Sequence, residues 1–152
     1  MRLVSTTSTT EQASWRDAVL RGIAQDGGLY VPVTLPWFDT SARDELRDLA
    51  FPEFATRIVS SFIGDELAAS DIQNLCVESF NFEVPLTRVD DYTEVLELFH
   101  GPTCAFKDFG ARFMARLFRH FWGVQARPLT VLVATSGDTG GAVAQAFYDT
   151  TD

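Results

Sequence analysis

Apolar residues recur at helical spacing through the first half of this chain and fall in short unbroken runs in the second. Trp15, Val19, Leu20 and Ile23 follow Ser14, an N-cap residue type, so the spacing predicts a helix closed by Asp26-Gly27-Gly28. Leu29-Tyr30-Val31 reads as a short strand stopped by Pro32. After a connection holding Pro36 and Trp37, helical patterns resume over 42–49, 54–62 and 71–80. In the second of these Ile58, Val59, Phe62 and Ile63 make one apolar face, which Gly64 closes.

From about Pro85 the pattern changes to alternating strand and helix. Residues 95–99 read as a strand and 106–122 as a long helix with Phe106, Phe109, Phe113, Leu117 and Phe121 on one stripe. Residues 129–134 then read as a buried strand and 141–148 as a second helix. Strand, helix, strand, helix predicts right-handed crossovers and a mostly parallel sheet. The expected class is α/β, with a mostly helical amino-terminal domain over 1–82. The first βα units of a doubly wound, mostly parallel sheet follow over 83–152. Two strands do not complete such a sheet, so the expectation is the amino-terminal piece of a longer protein.

The chain has 152 residues, 12 Lys and Arg against 21 Asp and Glu, and therefore a net charge of 12 − 21 = −9. That balance disfavours nucleic acid or an anionic membrane as partner, since both attract basic patches. A hydrophobic content of 46% with 12% aromatics argues for a folded globule. No run approaches the roughly 20 apolar residues of a membrane helix, and residues 1–10 hold no apolar core of a secretory signal, so a cytoplasmic protein is expected. Cys76 and Cys104 lack zinc or redox spacing, and His100 and His120 join no metal-ligand cluster, so no metal is expected.

Two constellations at strand-to-helix junctions could carry chemistry, because open α/β sheets place ligands there. The first is Glu97-Leu-Phe-His-Gly-Pro-Thr-Cys-Ala-Phe-Lys-Asp-Phe-Gly110. Lys107 lies beside the aromatic stripe in the first helical turn, where the helix dipole disfavours a positive charge and favours the free amine of a Schiff-base nucleophile. A surface lysine satisfies the same spacing. The second is Ala134-Thr-Ser-Gly-Asp-Thr-Gly-Gly141, a Gly-rich turn opening a helix. Its backbone N–H groups and the hydroxyls of Thr135, Ser136 and Thr139 suit a phosphate or carboxylate; a tight turn capped by Asp138 fits equally. It is neither a P-loop nor a dinucleotide fingerprint. Ser136 lacks a nucleophile-elbow context.

These residues also resemble a known family. Leu98-Phe-His-Gly-Pro-Thr-Cys-Ala-Phe-Lys-Asp-Phe-Gly-Ala-Arg-Phe-Met114 is similar to the lysine motif of bacterial and fungal threonine synthases, and Ala134-Thr-Ser-Gly-Asp-Thr-Gly140 to their Gly-rich loop. Asp26-Gly-Gly-Leu-Tyr-Val-Pro32 and Phe62-Ile-Gly-Asp-Glu66 resemble their amino-terminal domain, so the likeness is collinear over most of the chain. The resemblance implies a fold-type II pyridoxal 5'-phosphate (PLP) enzyme converting O-phosphohomoserine and water to threonine and phosphate. It implies that Lys107 holds the cofactor and moves protons, that Asp138 contacts the cofactor, and that Thr135, Ser136, Gly137, Thr139 and Gly140 bind substrate. It places the cofactor-phosphate loop and the partner of the pyridine nitrogen further along such chains, and leaves the oligomeric state open. Cys104 stands where an aliphatic residue is more usual, which suggests either a small apolar filler or a reactive thiol near the aldehyde cofactor. A threonine synthase-like phospholyase and a non-catalytic fragment are the alternatives.

Overall fold

The computed structural model describes residues 1–123 and 129–148, which divide into two compact units at Val77/Glu78. In the first unit β1 (Leu3–Ser5) is the central strand of an antiparallel sheet, with β2 (Gln12–Ala13) and β3 (Tyr30–Pro32) at its edges. The Ser/Thr-rich start of the chain thus holds a fully buried strand that the pattern did not reveal. Pro32 does not stop β3 but closes its ladder opposite Leu3, a place open to proline because β3 is an edge. Leu3, Ala13 and Ala18 form a small core, with Trp15 and Tyr30 packed against it.

Helix α1 (Trp15–Arg21) is capped by the Ser14 hydroxyl, which accepts from Asp17 N. It ends earlier than the spacing predicts, at Gly22 with φ 75°, leaving Ile23 outside and exposed. A second cap comes from far along the chain. The Glu66 carboxylate accepts from Trp15 N at 2.9 Å and Arg16 N at 3.3 Å, satisfying first-turn donors that have no partner within a helix. This gives the Phe62–Glu66 motif a structural reason. Glu66→Ala is therefore expected to destabilise the unit by about 1 kcal/mol, the usual cost of a lost cap, read as a lower denaturant midpoint with unchanged slope.

The helices α2 (Thr40–Arg47), α3 (Phe51–Ile63) and α4 (Ala69–Ser79) start up to a turn earlier than their apolar patterns suggest. Asp39 caps α2 by accepting from Ala42 N, and Pro52 sits in the first turn of α3, where its missing N–H costs nothing. Ile63, Leu67, Ile72, Leu75 and Cys76 are buried, and burial pushes the Cys76 thiol above its ordinary value, the Thr56 hydrogen bond opposing this.

In the second unit β4 (Leu86–Arg88) and β5 (Glu94–Leu96) form an antiparallel hairpin, so the predicted strand at 95–99 is shorter and its partner precedes it. Every paired strand among the described residues is antiparallel, and the parallel crossovers expected for this stretch are not among those pairs. Residues 129–134 form no ladder and are exposed, Leu132 at 91%. Their apolar run fits a buried strand, but a strand exists only through its neighbours, and no described segment pairs with it. Helices α5 (Lys107–Trp122) and α6 (Asp138–Tyr148) pack against each other, with Ala115, Leu117, Phe121, Ala142 and Ala146 buried.

Candidate functional site

Lys107 is the first residue of α5, half-buried, with its ammonium 4.4 Å from the Phe106 ring centroid. Phe106 is itself 58% exposed, so it leaves the apolar stripe and serves as a platform for the amine. Of the remaining stripe Leu117 and Phe121 are buried, and Phe109 and Phe113 are half-buried among aromatic rings. Phe80 stacks on Phe113 with centroids 5.9 Å apart, and Phe109 lies edge-on to Phe82 at 5.0 Å.

The loop before α5 is held by a residue that apolar periodicity does not single out. Asp108 is fully buried, and its carboxylate accepts from Thr103 N at 2.9 Å and Thr103 Oγ1 at 2.7 Å. Gly101 leaves room for it: a Cβ there would lie 2.8 Å from Asp108 Cβ and 2.9 Å from its Cγ. Cys104 N donates to Gly101 O at 3.0 Å, and Cys104 adopts φ 57°, uncommon for a residue with a side chain. Its thiol is exposed, so Cys104 is not an apolar filler in this chain.

One turn along α5, Arg112 is buried too. Its guanidinium donates to Ser79 O at 2.8 Å, Glu78 O at 2.9 Å and Asn81 Oδ1 at 2.7 Å. Burial pushes Arg112 down from its ordinary value; Arg116 adds to this and the Asp108 charge opposes it. An acid and a base four residues apart beside an aromatic stripe was the available sequence signal for this pair. Nearer the hairpin, His100 Nε2 lies 2.6 Å from Glu97 Oε2, and that bond, then one from Thr87, holds the Glu97 carboxyl below its usual range.

The Gly-rich segment differs from the expected loop. Helix α6 begins at Asp138, so Asp138, Thr139 and Gly140 form its first turn while Thr135, Ser136 and Gly137 lead into it. Thr135, not Asp138, caps the turn: its Oγ1 accepts from Gly137 N at 3.1 Å and Gly140 N at 2.9 Å. A Cβ at Gly140 would come within 2.8 Å of that oxygen, which explains the glycine. Two of the segment's backbone donors are thus spent internally, and the Thr135 hydroxyl keeps only its proton to offer. Thr135, Ser136, Gly137 and Asp138 are exposed, and Thr139 and Gly140 half-exposed.

Gly137 has φ 143°, where any side chain is strained although a Cβ would meet nothing within 4 Å. Gly137→Val therefore acts through the backbone before it crowds any bound anion. Thr135→Val is the sharper probe. It is expected to cost the first turn of α6 about 1 kcal/mol, seen as faster amide exchange at Gly137 and Gly140. Because α5 and α6 share an interface, the helix opened by Lys107 and the helix opened by Asp138 belong to one packed pair. Among the described residues no cluster of His, Cys, Asp or Glu could hold a metal, and no helix is long and apolar enough to cross a membrane.

A family profile described as threonine synthase N terminus matches residues 2–80. The threonine synthase of Escherichia coli K12 is 44% identical over 148 residues, covering 97% of this chain and 34% of that protein, and that of Serratia marcescens is 43% identical over the same share. Among solved structures, the Escherichia coli threonine synthase superposes with a TM-score of 0.91 at 44% identity, covering 98% of this chain and 34% of that one. The PLP-bound threonine synthase of Brucella melitensis superposes with a TM-score of 0.90 at 38% identity, covering 97% and 33%. The chain thus spans about a third of the length of these relatives (34%). With its profile match over the first unit, a mixed α/β fold shared throughout and identity near 44%, the chain belongs to the threonine synthase N-terminus family.

Proposed function

We propose that this chain is the amino-terminal part of a threonine synthase, a cytoplasmic enzyme that uses PLP to convert O-phosphohomoserine and water to threonine and phosphate. In this reading residues 1–82 are the family's amino-terminal domain and 83–152 open a fold-type II catalytic domain, whose parallel sheet takes up residues 129–134. The observation that carries it is Lys107, a half-buried lysine at the first position of a helix, on a loop braced by a buried carboxylate.

The residues present fit PLP. A single amine stands where an aldehyde can be captured, and an exposed Gly-rich helix start on the packed neighbour offers backbone and hydroxyl donors to an anion. The bound cofactor supplies an electron sink for carbanions. Lys107 holds the cofactor and moves protons at the substrate's α, β and γ carbons. Ser136, Gly137, Thr139 and Gly140, with the remaining Thr135 O–H, take the substrate carboxylate, and Asp138 contacts the cofactor.

The test is an assay of the full-length enzyme with O-phosphohomoserine, following phosphate and threonine together. Equal release of both is expected. Phosphate without threonine would indicate a phospholyase, and neither product a non-catalytic protein. The 152-residue chain alone is expected to form no threonine, since Val131, Leu132 and Val133 stand exposed and favour association over an ordered site.

A further inference from the structure

We propose that Asp108 is the positioning residue for the Lys107 amine, acting through Thr103 and Gly101. The inference rests on the reading of Lys107 as the cofactor lysine and adds to it the device that fixes where that lysine starts. Helix α5 has no ordinary N-cap: Phe106 occupies that position and its side chain makes no capping bond. A first turn without a cap frays, because its N–H groups lack partners. Here the position of the turn is set instead by the residue next to the lysine. The Asp108 carboxylate binds Thr103 through both its backbone N–H and its hydroxyl, and Asp108 N donates to Ala105 O at 3.0 Å. Residues 103–108 are thereby folded into one closed loop with the lysine at its exit.

The loop is under some strain, and that too points to the brace. Cys104 at φ 57° costs on the order of 1 kcal/mol, and such conformations persist only where the surroundings over-determine them. The fully buried carboxylate, Gly101 cut away to admit it, and the turn from Gly101 O to Cys104 N are those surroundings. A buried carboxylate would be an expensive way merely to close a surface loop, and its charge is felt by Arg112 one turn further along the same helix. The loop, the lysine and the helix therefore move as one body. A shift of about 1 Å in a reacting group is enough to lose roughly 10²-fold in rate.

The test uses the full-length enzyme in the parent, Asp108→Asn, Thr103→Val and Thr103→Ser forms. Each is checked for fold by circular dichroism and melting, then for visible absorbance of lysine-bound cofactor, borohydride labelling at Lys107, and kcat apart from KM. Asp108→Asn keeps the shape and loses the charge and one acceptor; kcat should fall about 10²-fold, with KM close to the parent's and labelling spread to other lysines. Thr103→Val removes only the hydroxyl and should lose about tenfold in kcat. Thr103→Ser restores the hydroxyl and should recover the parent's rate and labelling. If Asp108→Asn and Thr103→Val melt earlier but, while folded, keep the parent's kcat and label only Lys107, Asp108 is a structural brace and the proposal is wrong. Absence of label at Lys107 in the parent itself would instead overturn the assignment of the lysine.

Discussion

Lys107→Ala is expected to leave the full-length enzyme folded while abolishing covalent capture of the cofactor and lowering kcat by at least about 10³-fold, at the upper end of what a positioned proton-transfer group contributes. The fold should survive because the described contact of the Lys107 side chain is the face of an exposed phenylalanine, and the loop around it is held by Thr103 and Asp108. Lys107→Arg should be equally inactive. A guanidinium keeps the charge and the stacking on Phe106, yet it does not become the neutral amine that attacks an aldehyde. The pair of variants separates chemistry from charge. If charge near the cofactor were the requirement, the arginine form would retain activity. Loss of the visible absorbance of bound cofactor, with melting unchanged, is the reading to make.

The largest effect on stability is expected at Arg112. Three acceptors (Ser79 O, Glu78 O and Asn81 Oδ1) depend on one buried guanidinium. Arg112→Ala strands the buried Ser79 O, takes the donor from the part-buried Glu78 O and Asn81 Oδ1, and removes the charge that interacts with Asp108, so a loss of roughly 3–5 kcal/mol is expected, as for other broken buried charge networks. That is a large fraction of a domain's total stability. Arg112→Lys should rescue little, because three donors on a flexible stem do not reproduce a planar fork aimed at three oxygens. Urea titration of the full-length enzyme, followed by the far-ultraviolet signal, measures both. A loss below about 1 kcal/mol for the alanine form would mean that the carbonyls find other partners.

What the sequence disclosed follows the physics of each signal. Long apolar periodicity is local, so α3 and α5 were visible within a few residues of their ends. The buried strand β1 was not, because Leu3-Val4-Ser5 is too short for a pattern and owes its burial to Tyr30–Pro32 and Gln12–Ala13. The segment 129–134 has the composition of a buried strand, but composition does not supply a partner. At the candidate site the lysine and the Gly-rich helix start were legible as motifs. The braces beneath them, Asp108 to Thr103 and Thr135 to Gly137 and Gly140, are contacts across a few residues of irregular backbone, where no periodicity exists to betray them.

The central claim, that Lys107 is the residue holding the cofactor, is tested most directly by reducing the full-length, PLP-loaded enzyme with borohydride and mapping the labelled peptide. A single label on Lys107, at one per chain and absent in Lys107→Ala, is the predicted result. One stoichiometric label on a different lysine, with Lys107 unmodified, would contradict it.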